Sequence, residues 1–281
     1  MTRTIIKHIL IALVIGFSKI YAQQPENNTS PLKQPSNQVF AGVGFGSNLI
    51  YFGTSLTGNQ PYLSAELLYA WEEGIWAGAG FFHLPGTQPF IAFSNFAVGY
   101  SHVFNQIFDA STSISRFNAN NVASVDTYSD YTFLSASLGI DWVVLYTSIK
   151  PGWLFAQENS FYLLVKNSHY FFTRNLGNSN SFFSFNPGLS FMIGTYAWLS
   201  HTTRPLYPIR RRPGMIITPV PIEVNQEFRP LDMQISLPVA FNTKRMSLEF
   251  EPAFFYNFYQ VETLPKGGHF FFTTGIYFKL N

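Results

Sequence analysis

A two-residue alternation of apolar and polar side chains recurs along this chain and constrains its fold more than any other feature. It is clearest over residues 246–259. One face of that segment carries seven apolar residues: Met246, Leu248, Phe250, Pro252, Phe254, Tyr256 and Phe258. The opposite face is mixed and includes Glu249, Glu251 and Asn257. Successive side chains of a β-strand point to opposite faces of a sheet, so the pattern predicts strands with one apolar and one polar side.

The composition indicates that the apolar side faces lipid. Only 11% of the residues are charged and 18% are aromatic, whereas soluble domains carry about 25% charged residues. Beyond the N-terminal leader, no stretch approaches the ~18 consecutive apolar residues of a transmembrane helix. Backbone polar groups in hydrocarbon must be paired within the protein, which leaves a closed barrel as the spanning form. The sequence therefore predicts an all-β fold, an antiparallel up-and-down transmembrane β-barrel.

Residues 1–22 are predicted to be a cleaved secretory signal peptide. Arg3 and Lys7 precede an apolar run too short to span a membrane, and Ala22 is a small residue at the cleavage position. Residues 23–37 are predicted to be a disordered periplasmic lead-in, and 38–281 the barrel. The leader holds three of the 17 basic residues and none of the 15 acidic ones, so cleavage leaves 14 against 15. A nucleic-acid partner is therefore not expected.

Turn residues divide the barrel region into about twelve predicted strands. They cover 39–51, 61–71, 75–84, 90–104, 108–117, 131–141, 143–155, 161–173, 181–199, 230–241, 246–259 and 269–280. An even number returns the C-terminus to the side where the chain began. The tight connections are assigned to the periplasm and the long ones, such as 118–130, 200–229 and 260–268, to the cell exterior. Asp141-Trp142 is a poor turn signal, so ten or fourteen strands are alternatives.

Four prolines fall inside predicted strands, at Pro151, Pro187, Pro238 and Pro252. Each lacks the N–H group that a sheet needs for its hydrogen-bond ladder. β-Bulges could accommodate them, because a bulge leaves one residue of a strand unpaired.

The last residues carry a family resemblance. Gly275, Phe278 and Leu280 match a pattern of Gly, two free positions, an aromatic residue, one free position and a large apolar residue. The segment resembles the C-terminal β-signal of Gram-negative outer-membrane β-barrel proteins, although the chain ends on Leu280-Asn281. Gln23, directly after the predicted cleavage site, and the aromatic-rich strands are similar to uncharacterised barrels common in Bacteroidota. The resemblance implies an outer-membrane location and recognition by the barrel-assembly machinery.

The polar strand faces gather ionisable residues that would lie in the lumen. They are Glu66, Lys166, Asp232, Glu249, Glu251 and Lys279. Glu249 and Glu251 lie on the strand beside that of Lys279, which favours a charge cluster. A salt-bridged network that fills a small barrel explains such a cluster, and a selectivity filter for a cation is the sharper hypothesis. Bulky inward residues such as Phe255, Phe271 and Tyr277 favour a plugged lumen over a wide pore.

The longest predicted loop carries a basic cluster formed by Arg204, Arg210, Arg211 and Arg212. Arginine binds phosphate and carboxylate groups through paired hydrogen bonds. The cluster is either a solvated loop without a specific ligand or a contact with lipopolysaccharide or a protein partner. The other expected partner is outer-membrane lipid.

The motif content does not indicate catalysis. His83, His201 and His269 lie near predicted extracellular ends, but none has a carboxylate or nucleophile at a spacing typical of a catalytic site. No spacing suggests a metal site or a phosphate-binding loop, so no cofactor is expected. The sequence favours a non-enzymatic structural or accessory subunit of an outer-membrane assembly with a largely plugged lumen. A small passive channel or transporter is the alternative, and an outer-membrane hydrolase is less favoured.

Overall fold

The structure, a computed structural model, describes residues 37–120, 130–156, 159–177, 180–195, 228–258 and 266–280. The strands are β1 Gln38–Gly46, β2 Ile50–Tyr51, β3 Thr54–Ser55, β4 Tyr62–Ala70, β5 Ile75–His83, β6 Phe93–Val103, β7 Phe108–Ala119, β8 Tyr131–Asp141, β9 Tyr146–Phe155, β10 Ser160–Ser168, β11 Phe171–Phe172, β12 Phe182–Phe185, β13 Gly188–Gly194, β14 Arg229–Ser236, β15 Val239–Asn242, β16 Met246–Asn257 and β17 Gly267–Lys279. Within the described ranges, no helix is long and apolar enough to cross a membrane. The predicted signal peptide and nearly all of the predicted lead-in lie outside the described residues.

Fifteen of these strands form one antiparallel sheet that closes on itself, because β17 pairs with β1 on one side and with β16 on the other. Three spanning strands are each divided into two segments: β10 with β11, β12 with β13, and β14 with β15. With each divided strand counted once, the barrel has twelve strands. The predicted transmembrane β-barrel of about twelve strands is confirmed.

The two faces of the barrel wall differ as the alternation predicts. In β4, Leu63 and Leu67 are about half exposed, whereas Ser64 and Glu66 between them are buried. On the last strand, Phe278 is exposed on the exterior and Gly275 is buried. An exterior of exposed large apolar side chains on a sheet without free edges is the surface of a protein solvated by lipid.

The connections fix the orientation of the barrel. Short turns, such as residues 71–74, 104–107 and 243–245, lie at the end that also holds both ends of the barrel chain. By the rule that such turns are periplasmic, we call this the periplasmic end and the opposite one the outer end. The doubtful connection between β8 and β9 is also a tight turn there, since the Trp142 N–H donates to the Leu145 carbonyl at 2.8 Å. Ten and fourteen strands are therefore wrong.

The first predicted strand is too long. It was predicted over 39–51, but β1 ends at Gly46, and residues 47–61 turn into the barrel. The alternation continues past Gly46 because the following residues form a hairpin of their own, β2 with β3. A two-residue period does not distinguish a spanning strand from the arm of a hairpin folded into the lumen.

Two of the four strand prolines are accommodated by gaps in the ladder. Pro187 and Pro238 lie in the breaks that divide β12 from β13 and β14 from β15. The pairing is in the same register on both sides of these breaks, with Gly188 opposite Ser236 and Phe185 opposite Val239. Pro151 and Pro252 lie within continuous strands. The register shift of this region occurs between Met192 and Ile193, opposite Pro230 and Asp232. The register therefore survives the loss of the proline N–H groups.

Candidate functional site

The feature that most distinguishes the lumen is the connection between β1 and β4, residues 47–61, which we call the hairpin loop. Its residues 48–57 are buried except for the half-buried Ile50. Contacts from distant strands surround it. Phe52 stacks on Tyr162 of β10 at a ring distance of 4.2 Å, and the Asn257 side-chain amide of β16 donates to the Gly53 carbonyl at 3.3 Å. The hairpin loop therefore lies inside the outer end of the barrel.

Several polar groups of the hairpin loop are hydrogen-bonded within the loop itself. The Asn48 side chain accepts from the Ser55 hydroxyl, accepts from the Thr57 hydroxyl at 2.9 Å, and donates to the Asn59 side-chain oxygen at 2.8 Å. The Leu56 N–H donates to the Leu49 carbonyl at 2.7 Å. Buried polar groups cost free energy unless they are hydrogen-bonded, so this internal network allows the loop to enter the barrel.

The tip of the hairpin loop is strained in a way that points to a role. Phe52 adopts a φ of 47° and Gly53 a φ of 75°, the left-handed pair of a tight hairpin turn. A left-handed backbone at a non-glycine residue costs about 1–3 kcal/mol. Burial of the Phe52 ring, which is 3% exposed, contributes about 1.5–3 kcal/mol. The chain therefore accepts backbone strain at Phe52 in order to place its ring among barrel aromatics.

The hairpin loop and the inward residues around it form the outer aromatic cluster. Its members are Leu49, Tyr51, Phe52, Leu56, Tyr62, Phe82, Leu84, Ala92, Phe93, Phe117, Tyr131, Phe133, Leu154, Tyr162, Leu231 and Phe255. Rings stack across the cluster, with Phe117 on Tyr131 at 4.9 Å and on Phe93 at 5.5 Å. Burial raises the pKa of the Tyr51 hydroxyl well above its usual value, so this group is neutral at physiological pH.

Toward the periplasmic end the lining changes to small polar and charged side chains, which we call the polar lumen. Its inward residues are Glu66, Ser101, Ser111, Ser113, Ser135, Ser137, Ser148, Lys150, Lys166, Ser168, Ser236, Asn242, Ser247, Glu249 and Glu251. The Ser113 and Ser135 hydroxyls lie 3.0 Å apart on neighbouring strands. One wall of this half is apolar, with Phe40, Leu68, Trp76 and Ala97 packed together.

Aromatic rings in the lumen lie against the wall where the neighbouring strand has glycine. A Cβ atom at Gly42 would collide with the Tyr277 ring, and one at Gly46 with the Tyr62 ring. Each of these glycines is the direct register partner of its tyrosine. A ring that lies flat on a glycine occupies the wall instead of the centre of the lumen. The argument that bulky inward residues favour a plugged lumen therefore does not hold for Tyr277.

The six predicted lumen charges do not form a single cluster. Glu66, Glu249 and Glu251 interact electrostatically with Tyr277 and lie on one wall, formed by β16, β17, β1 and β4. Lys166 lies on β10, which is six strands from β4 in either direction around the barrel. Lys166 therefore stands opposite Glu66, and it lies three strands from Glu249 and Glu251 on β16.

The two other predicted charges lie at the ends of the lumen. Asp232 is 3% exposed and pairs in register with Asn257, the residue that contacts the hairpin loop. Lys279 is the last residue of β17, where its N–H donates to the Arg245 carbonyl. Arg245 directly precedes β16 and lies four residues nearer the periplasmic end than Glu249. Lys279, which contacts Arg245, is therefore offset from the acids along the barrel, although β16 and β17 are adjacent.

Two features of the lumen were not found from the sequence. Lys150 is 9% exposed, faces inward on β9 and interacts electrostatically with Lys166. The two-residue alternation of β9 indicates this orientation, because Ile149 and Trp153 lie on the exposed face and Lys150 falls on the opposite one. The second feature is the hairpin loop. The sequence indicates it by the dipeptide Phe52-Gly53, which suits a two-residue turn and lies between two short pairs of residues that favour β-strands.

Some of the remaining predicted site residues lie in the part of the chain that the structure describes, and others lie outside it. Arg204, Arg210, Arg211, Arg212 and His201 lie outside the described residues. His83 is half-buried at the outer end of β5, with its Nδ1 2.6 Å from the Phe90 carbonyl oxygen. Over the described ranges, no group of three or more His, Cys, Asp or Glu side chains is arranged to hold a metal ion.

Comparisons with known proteins give likenesses of shape at very low sequence identity. No family model matches the chain, and no curated protein matches it. Among solved structures, a KdgM porin has a TM-score of 0.49 at 6% identity, covering 87% of this chain and 99% of the porin. An outer membrane channel from Pseudomonas putida F1 has a TM-score of 0.47 at 8% identity, covering 90% and 100%. LpxR from Salmonella typhimurium has a TM-score of 0.45 at 6% identity, covering 85% and 99%.

These likenesses concern the shape of the barrel alone. The similarity to Bacteroidota barrels, recognition by the assembly machinery and contact with lipopolysaccharide stay predictions.

Proposed function

We propose that this protein is an integral outer-membrane β-barrel that acts as a non-enzymatic channel for small solutes, with the hairpin loop closing its outer end. The outer-membrane location is supported by the closed twelve-strand barrel, the apolar exterior and the resemblance of Gly275, Phe278 and Leu280 to an assembly signal. Closed barrels of this kind are the β form that spans such membranes.

The observation that carries the channel proposal is the contrast between the two halves of the lumen. A barrel with a purely structural role would gain stability by packing its interior with large side chains throughout. Here the polar lumen is lined mainly by serines, with Glu66 opposite Lys166 and one apolar wall formed by Phe40, Leu68, Trp76 and Ala97. Charged and hydroxyl side chains in this arrangement suit water and small polar solutes.

The hairpin loop is the element whose removal tests this function. The full chain and a variant with residues 49–57 replaced by a short Gly-Ser linker are reconstituted in planar bilayers. The Leu56 N–H bond to the Leu49 carbonyl brings the two ends of the replaced segment together, so a short linker is sufficient. Replacement of the exposed outer-end residues 85, 86 and 88–90 by Gly and Ser is the matched control.

We expect the wild type and the control to be closed and the hairpin variant to give reproducible conductance steps. Frequent open steps in the wild type would show that the hairpin loop does not close the barrel. A correctly folded hairpin variant that does not conduct would contradict the channel proposal.

The second candidate is a structural or accessory subunit, which the filled outer aromatic cluster favours. A folded, non-conducting hairpin variant would support it. Co-purification of this chain with a stable set of outer-membrane proteins, after crosslinking in intact cells, is its direct test.

A further inference from the structure

We propose that the acidic wall of the polar lumen binds an organic cation that carries two or more amino groups. The proposal names a ligand class for the lumen of the proposed channel and rests on that function for its biological use. Binding itself requires no conduction. The four strands of this wall are β16, β17, β1 and β4, in order around the barrel.

Glycines lie on the two strands between the acids. Glu249 on β16 pairs with Gly275 on β17, which pairs with Gly44 on β1. Glu66 on β4 pairs with Gly42 on β1. The Tyr277 ring lies over Gly42 and Gly275. The acids therefore border a trough two strands wide whose floor is the Tyr277 ring.

Two buried side chains have polar atoms without a partner within the described protein: Glu66 at the edge of the trough and Asn95, two strands farther around the barrel on β6. Glu66 is 8% exposed, and its Oε2 accepts no hydrogen bond, while its Oε1 is 3.4 Å from the Ser64 hydroxyl. Asn95 on β6 is 1% exposed, and neither its side-chain nitrogen nor its side-chain oxygen has a partner. Gly80 on β5 pairs in register with Glu66 on one side and with Asn95 on the other. Because glycine has no side chain, none lies between Glu66 and Asn95 on this strand. A buried carboxylate and carboxamide in this state require a ligand or water.

The spacing of the acids favours an extended cation over a metal ion. Glu249 and Glu251 lie two residues apart on one face of β16, which separates their Cα atoms by about 7 Å. In the described ranges the acids do not form a group able to hold one metal ion. A molecule with amino groups joined by short alkyl chains can place one ammonium group near each carboxylate.

Two tyrosines suit the same ligand. The Tyr277 ring lies over Gly42 and Gly275 between Glu66 and Glu249, and the Tyr62 ring lies against Gly46 nearer the outer end. Both tyrosines interact electrostatically with Glu66 and Glu251. Ammonium groups bind at the faces of aromatic rings as well as to carboxylates. Lys166 lies six strands from Glu66 and three strands from Glu249 and Glu251.

The test is isothermal titration of the folded full-length barrel in non-ionic detergent with spermidine as the probe, at neutral pH and low salt. Glu66→Gln replaces one carboxyl group of the trough by an amide of nearly the same shape. Asp130→Asn, which makes the same kind of change in the exposed ion pair with Arg116, is the matched control. Glu251→Gln is the second trough variant, used because Glu66 is buried and its substitution can impair assembly. A gel-mobility shift on boiling verifies that each variant is folded.

We expect saturable spermidine binding that weakens about tenfold or more in either trough variant, since each loses a charge-assisted contact. The Asp130→Asn variant should change the affinity by no more than about twofold, because exposed ion pairs contribute little. Absence of saturable binding to the wild type would overturn the proposal. Equal loss in all three variants, or equal displacement of spermidine by Mg²⁺ at matched ionic strength, would reduce the trough to diffuse counter-ion attraction and overturn it as well.

The outcome is separable from that of the channel proposal. A barrel that binds spermidine but never conducts would contradict the channel alone. A barrel that conducts after removal of the hairpin loop but does not bind spermidine would contradict the binding site alone.

Discussion

The outer and periplasmic halves of the lumen are built on the same strands and lined by different chemistry. At the outer end, β8 presents Tyr131 and Phe133 inward, and both pack in the outer aromatic cluster. Farther along the same strand the inward residues are Ser135 and Ser137. The exterior neighbours Leu134 and Leu138 are exposed and apolar throughout. The strand therefore meets lipid uniformly and meets the lumen in two distinct ways.

The difference shows that closure is a local property of this barrel. The hairpin loop packs where inward residues are aromatic. Apart from the apolar wall of Phe40, Leu68, Trp76 and Ala97, the rest of the lumen is lined mainly by small or polar side chains. A plug made by the whole lining could not open without unfolding the wall. A single loop packed on aromatic rings can leave its place while the strand ladder is kept. Four experiments test this comparison.

The largest effect is expected from shrinking an aromatic residue of the outer half. Phe117 is fully buried and stacks on Phe93 and Tyr131. Phe117→Ala should lower the free energy of unfolding by about 3–5 kcal/mol, through lost burial and a residual cavity. Ser111→Ala in the polar lumen should lower it by less than about 1 kcal/mol. Denaturant unfolding in lipid vesicles measures both. Similar losses would mean that the two halves are packed alike.

Cysteine labelling gives the next largest effect, because the chain has no cysteine of its own. Leu56 is fully buried and Gln60, in the same loop, is exposed. A thiol at Leu56→Cys should react with a small water-soluble reagent about a hundredfold more slowly than one at Gln60→Cys, because undocking must come first at a cost of about 3 kcal/mol.

Ser113→Cys probes the periplasmic half by the same method and should react at an intermediate rate. Protection of this position equal to that of Leu56→Cys would show that the polar lumen is dry, and the contrast between the halves would be lost.

A third experiment weakens the hairpin loop without touching the barrel. Asn48→Ala removes three side-chain hydrogen bonds within the loop. Net contributions of about 0.5–1.5 kcal/mol per bond predict labelling of Leu56→Cys about tenfold faster or more. Asn257→Ala, which removes the 3.3 Å bond to the Gly53 carbonyl, should accelerate it less. A larger effect from Asn257→Ala would mean that the barrel wall, and not the loop itself, holds the hairpin in place.

The smallest effect concerns ion selectivity in the barrel without its hairpin loop. Glu66→Gln should move the reversal potential in a salt gradient toward anion preference, and Lys150→Gln should move it toward cation preference. The expected change is a few-fold in permeability ratio, because mobile ions screen charges over about 8–10 Å. Shifts of the same sign for both variants would contradict the assignment of both side chains to the lining of the conducting lumen.

Much of the barrel was predictable because its signals are local. The two-residue period marks strand faces directly, and β8 has the predicted bounds, 131–141. Low charge together with the absence of long apolar runs excluded other fold classes before any pairing was known. The error at β1 has the same origin, since a local period reports strand geometry and not the partner of a strand.

The sequence by itself determined the fold class and the two faces of the clearest strands, because period and composition act over a few residues. It left the strand number between ten and fourteen. Only the tertiary structure decided that Phe52 stacks on Tyr162, that Glu66 and Lys166 stand on opposite walls, and that glycines separate Glu66 from Glu249. These relations depend on the closure of β17 onto β1 and on the register around the whole barrel. Closure of the barrel brings together residues that are far apart in the chain, and no local sequence pattern gives the distance between them in the folded protein.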